Sequence, residues 1–198
     1  MKSKQKLENI LLPIAKRMDV NPNILTLSSL VLTLISAYYV LSNAYLAAAF
    51  PFLIASLLDA MDGLVAKTHN RETKFGAFLD EIIDRLNDGI IIIAIILTGE
   101  TELIAGLLAL LLVLLSSYMS AVMDSLSKKR IGEIISFRPI RCAVVFFGLV
   151  LAQLNAIIWL LLFIGLWTAI YRMFKANWVL NSQFGISMRQ KYKRFIKL

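Results

Sequence analysis

Charged side chains are scarce in this chain: Asp, Glu, Lys and Arg make up 17% of its 198 residues, while 59% are hydrophobic and the mean hydropathy is +0.74. So small a charged share excludes an ordinary soluble domain and implies an integral membrane protein. Cysteine is nearly absent. The single Cys142 excludes an internal disulfide and reads as a packing residue. No internal repeat, low-complexity stretch or second soluble domain is present, so 1–198 reads as one membrane-embedded domain. A cleavable signal peptide is a poor reading of the N-terminal segment: the apolar run is short, is broken by Glu8, Asn9 and Pro13, and is followed by no small-residue cleavage site.

What is present is a series of long apolar runs. A span needs about 20 mostly apolar residues to cross a hydrocarbon core of roughly 30 Å. Six candidates occur, at approximately 23–41, 44–66, 76–97, 101–126, 137–153 and 155–176, and predict an all-α bundle of six transmembrane helices. Lysine and arginine are missing from one side. The turns LSN, TGETE and QLN carry none, and all 21 basic residues fall in or beside the segments on the other face, which directs that face and both termini to the cytoplasm. The net charge of +8 is explained by this topology and by contact with anionic headgroups, so no nucleic-acid binding is predicted. Leu7, Ile10, Leu11 and Ile14 share one helical face with lysines opposite, predicting an interfacial amphipathic helix over 1–20. Residues 177–198 read as a basic cytoplasmic tail.

Against this apolar background the stretch DAMDGLVAKTHNRETKFGAFLDEIID stands out. Asp59 and Asp62 are three apart near the cytoplasmic end of the second span, and Asp80 and Asp84 are four apart in the first turns of the third, so each pair shares a helix face. The basic connection between them folds the chain back and can bring the pairs together. Four converging carboxylates repel unless some are protonated or a cation sits among them. Hard oxygen donors in this number suit Mg²⁺ or Mn²⁺, and a divalent ion at a membrane surface is suited to a diphosphate. Ionisable groups inside spans are costly and normally functional. Asp88, Asp124, Glu81 and Glu133 are instead read as ordinary solvated acids. Gly63 follows Asp62 and Gly76 lies one helical turn before Asp80, and each allows a ligand or backbone to come close.

These residues resemble the signature of the CDP-alcohol phosphotransferase (CDP-alcohol phosphatidyltransferase) family, D-x2-D-G-x2-A-R-x8-G-x3-D-x3-D, with Asp59, Asp62, Gly63, Ala66, Gly76, Asp80 and Asp84 at the family's spacing. Lys67 stands where the family has arginine, keeping the charge but losing the planar fork. The resemblance implies transfer of a lipid phosphate from a CDP-linked lipid to a small polar alcohol with release of CMP, in a homodimer of the plasma membrane. It implies that Asp59, Asp62, Asp80 and Asp84 bind two metal ions, with Asp84 also taking the acceptor's proton. Gly63, Ala66, Lys67, Thr73 and Gly76 are implied on the nucleotide side, together with Asn23 and Thr26 of NPNILT, for which helix capping is the ordinary alternative.

TKFGAFLDEIIDRLNDG, SSYMSAVMD and GEIISFRPIR resemble the members that make phosphatidylinositol phosphate and its archaetidyl counterpart. That likeness implies inositol phosphate as acceptor, with Arg138, Arg141 and Arg172, and also Lys175, near its phosphate. Ser120 and Val122 stand where that group carries basic residues, so glycerol phosphate, a free polyol and serine stay open. Arg138 and Arg141 also have a reading as positive-inside anchors. Whether the lipid is diacylglycerol or archaeol based is open. A cation transporter is the rival class, but its acids belong near the bilayer centre.

Overall fold

The computed structural model describes residues 11–126 and 138–195, all of it helix and short connections. A short helix α1 covers 11–17, followed by α2 (Pro22–Leu41), α3 (Tyr45–Thr68), α4 (Lys74–Leu97), α5 (Leu103–Leu126), α6 (Arg138–Val150) and α7 (Leu154–Phe195). The last six start and stop within a few residues of the six expected runs, except that α7 continues well beyond 176 into the basic tail.

Local chemistry sets these ends. Asn21 caps α2 by accepting the Asn23 amide at 3.0 Å, with Pro22 in the first turn where its missing N–H costs nothing. Thr73 caps α4 through the Gly76 amide at 2.9 Å. Asn43 and Asn70 turn the chain after α2 and α3 with φ of 59° and 53°, a left-handed conformation that Asn tolerates.

Among the described residues four helices are long and apolar enough to cross a bilayer: Pro22–Leu41, Tyr45–Thr68, Leu103–Met123 and Leu154–Trp178. By length and composition this is a multi-pass membrane protein. The other two expected spans differ for separate reasons. α4 has the length, but Asp80, Glu81, Asp84, Arg85 and Asp88 crowd its first half, leaving only the Ile-rich second half apolar. α6 has 13 residues, about 20 Å of helix at 1.5 Å per residue.

α2 packs on α3 and α4, α5 on α4 and α7, and α6 on α3 and α7. The core joins Ala48, Ala49 and Phe52 of α3 to Ile91, Ile92 and Ile95 of α4, Ala109 and Val113 of α5, Leu149 of α6, and Ile157, Ile158 and Leu161 of α7. Large side chains such as Leu97, Ile104, Phe163 and Trp167 point outwards, the inverse of a water-soluble surface and the expected dress of a lipid-facing one. Of the expected N-terminal helix, α1 rests Ala15 against Leu25 and Val65 while Ile14 is exposed. Leu7 and Ile10 lie outside the described residues, as do Glu133 and most of GEIISFRPIR.

Candidate active site

α3 and α4 deliver their acids to one place. Asp59, Asp80 and Asp84 each offer a carboxylate oxygen, and these oxygens lie within 4.8 Å of one another. The i,i+4 spacing of Asp80 and Asp84 aims both from one face of α4, and the reversal at 69–73 brings Asp59 of α3 opposite. The fourth expected acid has partners of its own. Asp62, 4% exposed, accepts the Thr26 hydroxyl at 2.5 Å and its own neighbour's amide, Gly63 N, at 2.6 Å.

Arg138, the first residue of α6, supplies the counter-charge. Its Nη2 donates to Asp59 Oδ1 at 2.9 Å, its Nη1 pairs with Asp59 Oδ2, and the same Nη1 lies 2.5 Å from Asp84 Oδ1. This last contact is an ion pair without hydrogen-bond alignment, and buried Asp84 Oδ1 has no hydrogen-bond partner among the described residues. Arg85 lies 3.9 Å from Asp84 Oδ2 and pairs with Glu81 one turn back.

A cavity of about 300 Å³ opens beside Asp84. Its walls carry the guanidinium groups of Arg138, Arg141 and Arg172 and the hydroxyls of Ser116, Ser117, Ser120 and Thr168, contributed by α5, α6 and α7. Arg172, 7% exposed, bonds to the Ser116 carbonyl, and Arg141, 8% exposed, donates to the Val113 carbonyl at 3.4 Å. The three arginines expected near an acceptor therefore share one pocket, and Ser120 lines it where the resemblance led one to look for a base. Lys175 instead holds its ammonium over the Tyr171 ring at 5.8 Å. Ser116, Ser117 and Thr168 were not anticipated: a hydroxyl inside an apolar helix gives no period to read, since it can satisfy itself on its own backbone, as Thr168 does on the Ile164 carbonyl at 2.6 Å.

The acids read as solvated divide. Glu81 is exposed, but Asp88 is not: its side chain is 13% exposed and Oδ2 sits 3.0 Å from Arg141 Nη2. The expectation fails because Asp88 falls on the inner face of α4, one turn after Asp84, where α6 covers it.

Of the residues expected on the nucleotide side, Asn23, Thr73 and Gly76 meet: a Cβ on Gly76 would come within 3.0 Å of Asn23 Oδ1 and Thr73 Oγ1. Lys67 is exposed in the last turn of α3, and Gly63 faces open space. Capping belongs to Asn21 and Thr73, not to Asn23 or Thr26. Thr26 is buried, its hydroxyl shared between Asp62 and the Pro22 carbonyl at 3.2 Å. Below it Ser29 bonds to the Thr26 carbonyl at 2.7 Å and receives Asn87 Nδ2 at 3.1 Å, tying α2 to α4.

A sequence model of CDP-alcohol phosphatidyltransferases matches residues 19–178. The archaetidylinositol phosphate synthase of Methanothermobacter thermautotrophicus is 39% identical over 114 residues, 58% of this chain and 58% of that protein, so the alignment spans little more than half of the relative. The crystal structure of Mycobacterium tuberculosis phosphatidylinositol phosphate synthase (PgsA1) with CDP-DAG bound superposes with a TM-score of 0.69 at 22% identity, covering 89% of this chain and 94% of that one. The same synthase in complex with manganese and citrate gives 0.67 at 22% identity, over 87% and 88%. At that identity the two structures establish a common fold.

Proposed function

The chain belongs to the CDP-alcohol phosphatidyltransferase family, and from that premise we propose that it makes a phospholipid by transferring the lipid phosphate of a CDP-linked lipid to inositol phosphate, releasing CMP. The observation that carries this reading is Asp84, which belongs both to the acidic cluster and to the wall of the arginine- and hydroxyl-lined cavity. A nucleophile waiting in that cavity would have a carboxylate beside its hydroxyl. In the transfer a bond forms between the acceptor oxygen and the lipid-bearing phosphorus, the bond to CMP breaks, and Asp84 takes the hydroxyl proton.

The acidic cluster fits a divalent cation. Three carboxylates within 4.8 Å offer only hard oxygens, and buried Asp84 Oδ1 accepts no hydrogen bond among the described residues, its charge being answered by Arg138. Asp59, Asp80 and Asp84 would hold Mg²⁺ or Mn²⁺, with Asp62 as a further ligand and two ions as the count the family resemblance implies. Such ions neutralise a diphosphate and stabilise departing CMP. The contact between Thr26 and Asp62 makes Thr26 a group that orients this acid. Asn23, Thr73 and Gly76, which meet at the start of α4, and Gly63, Ala66 and Lys67 on α3 form the nucleotide side.

The acceptor assignment draws on charge. Arg138, Arg141 and Arg172 come from two helices to one cavity of about 300 Å³, at the small end of ligand sites and enough for a phosphorylated sugar alcohol. Hydroxyls on the same wall suit a polyol ring, and guanidinium groups suit its phosphate in a way that a free polyol or serine would not exploit. The product named for the Methanothermobacter relative agrees with this choice.

We further place α4 and α6 as spans, giving six, with α1 on the membrane surface, the site and both termini cytoplasmic, and a homodimer in the plasma membrane. The basic residues gathered on one face support the orientation. The test is release of radiolabelled CMP from CDP-archaeol and CDP-diacylglycerol across a panel of acceptors, with the product lipid identified by mass. Inositol phosphate should be used best. A rate independent of Mg²⁺ and Mn²⁺, or no CMP release with any acceptor, would refute the proposal and favour a cation transporter.

A further inference from the structure

Asp88 and Arg141 form an ion pair between α4 and α6 that the transfer chemistry does not itself require. Both side chains are nearly closed to solvent, 13% and 10% exposed. Burying two charges carries a desolvation cost that a pair of apolar side chains would avoid, so the pair needs a reason beyond holding the helices together.

The cavities supply one. Arg141 lies on the wall of the 300 Å³ cavity and also on the wall of a second, of about 10 Å³, enclosed by Phe52, Val145 and Leu161. Asp88 lines only the smaller one. It therefore stands behind the guanidinium as seen from the large cavity. Asp88 Oδ2 lies 3.0 Å from Nη2 as an ion pair without hydrogen-bond alignment, and the Val113 carbonyl accepts from Nη1 at 3.4 Å, so the group is held from two sides. Nε is buried and has no hydrogen-bond partner among the described residues.

We infer that Asp88 is a positioning residue, holding Arg141 at the cavity wall so that its guanidinium receives the phosphate of the acceptor. The inference rests on the reading of this cavity as the acceptor site. An arginine side chain has large rotamer freedom, and fixing it before the ligand arrives removes that ordering cost from binding. Asp88 also gives Arg141 a partner other than Asp84, which lines the same cavity and is already paired with Arg138. Without Asp88, Arg141 would be drawn to Asp84, spoiling a phosphate ligand and a proton acceptor together.

The full chain in lipid nanodiscs, as wild type and as Asp88→Asn, Arg141→Gln and the double variant, is titrated calorimetrically with inorganic phosphate and with inositol phosphate, and assayed for CMP release. Asp88→Asn should weaken binding of both anions by about tenfold to a hundredfold, within the range for coupling between groups of one ion-pair network. It should raise the KM of the phosphorylated acceptor equally while leaving kcat and the CDP-lipid KM near wild type. The double variant should bind no more weakly than Arg141→Gln, and Asp88→Glu should recover part of the loss. Wild-type anion affinity in Asp88→Asn, penalties that multiply in the double variant, a parallel fall in kcat and donor affinity, or a wild type that binds neither anion would each overturn the inference. If Asp88→Asn does not fold, Asp88→Glu and Arg141→Lys carry the same comparison. An intact binding pattern without CMP release from any acceptor would sink the transferase reading and leave Asp88 only as the residue that positions an anion-binding Arg141. CMP release with phosphate binding indifferent to Asp88 would do the reverse.

Discussion

Replacing Arg138 by Gln should move two affinities in opposite directions. The guanidinium holds Asp59 by both oxygens and lies 2.5 Å from Asp84, and all three side chains are mostly shielded from solvent, with 20%, 8% and 14% exposure in that order. It therefore competes with any divalent cation for those oxygens. Two unit charges 4.8 Å apart, the outer limit for oxygens of Asp59, Asp80 and Asp84, repel by roughly 3.5 kcal/mol at an effective dielectric of about 20. Removing the guanidinium leaves that repulsion to be relieved by the metal alone. A tenfold gain in metal affinity corresponds to about 1.4 kcal/mol, less than half of one such pair's repulsion, and is the smallest effect expected after some of it is lost to protonation. The assay is Mn²⁺ titration followed by electron paramagnetic resonance, with no substrate present. The same substitution strips a cation from the cavity and should raise the acceptor KM. Unchanged or weaker Mn²⁺ binding by Arg138→Gln would refute the competition and with it the assignment of these oxygens to a metal.

Three other outcomes are expected. Asp84→Asn should lower CMP release by at least about a hundredfold, the lower bound for losing a positioned proton acceptor, while CDP-lipid binding measured by calorimetry is largely kept; an active variant would remove Asp84 from the base role. Chelation of divalent ions should abolish CMP release, and added Mg²⁺ or Mn²⁺ should restore it in the same sample. Gly165→Ala would place a Cβ 2.9 Å from Leu112 Cβ and 3.3 Å from the Leu112 carbonyl carbon, and since backbone cannot step aside, a loss of about 1–3 kcal/mol of stability is expected from thermal unfolding.

How far the site was legible before folding depended on the kind of residue. The clustering of Asp59, Asp80 and Asp84 followed from i,i+4 geometry on one helix and a short reversal to the next, both local properties. The gathering of Arg138, Arg141 and Arg172 was suggested by resemblance, but their spacing along the chain holds no signal of it, since Arg172 reaches the cavity from a helix that packs on α5. Asp62 shows what motif reading leaves out: spacing puts it beside Asp59, and only the fold shows its Oδ2 taking a hydroxyl from α2. Asp88 reverses the lesson, because an acid looks solvated until a cation from a distant helix is seen to cover it.

By itself the sequence determined the apolar character, the positions of the helices and the pairing of acids on adjoining helix faces, because hydropathy, capping and the 3.6-residue turn act over a few residues at a time. Only the tertiary structure decided which acid meets which base, that Asp62 takes a hydroxyl from α2, and that a polar cavity lies between α4, α5, α6 and α7. These outcomes depend on how helices far apart in sequence cross, and burial then forces each charged group to take whichever partner the crossing brings within reach.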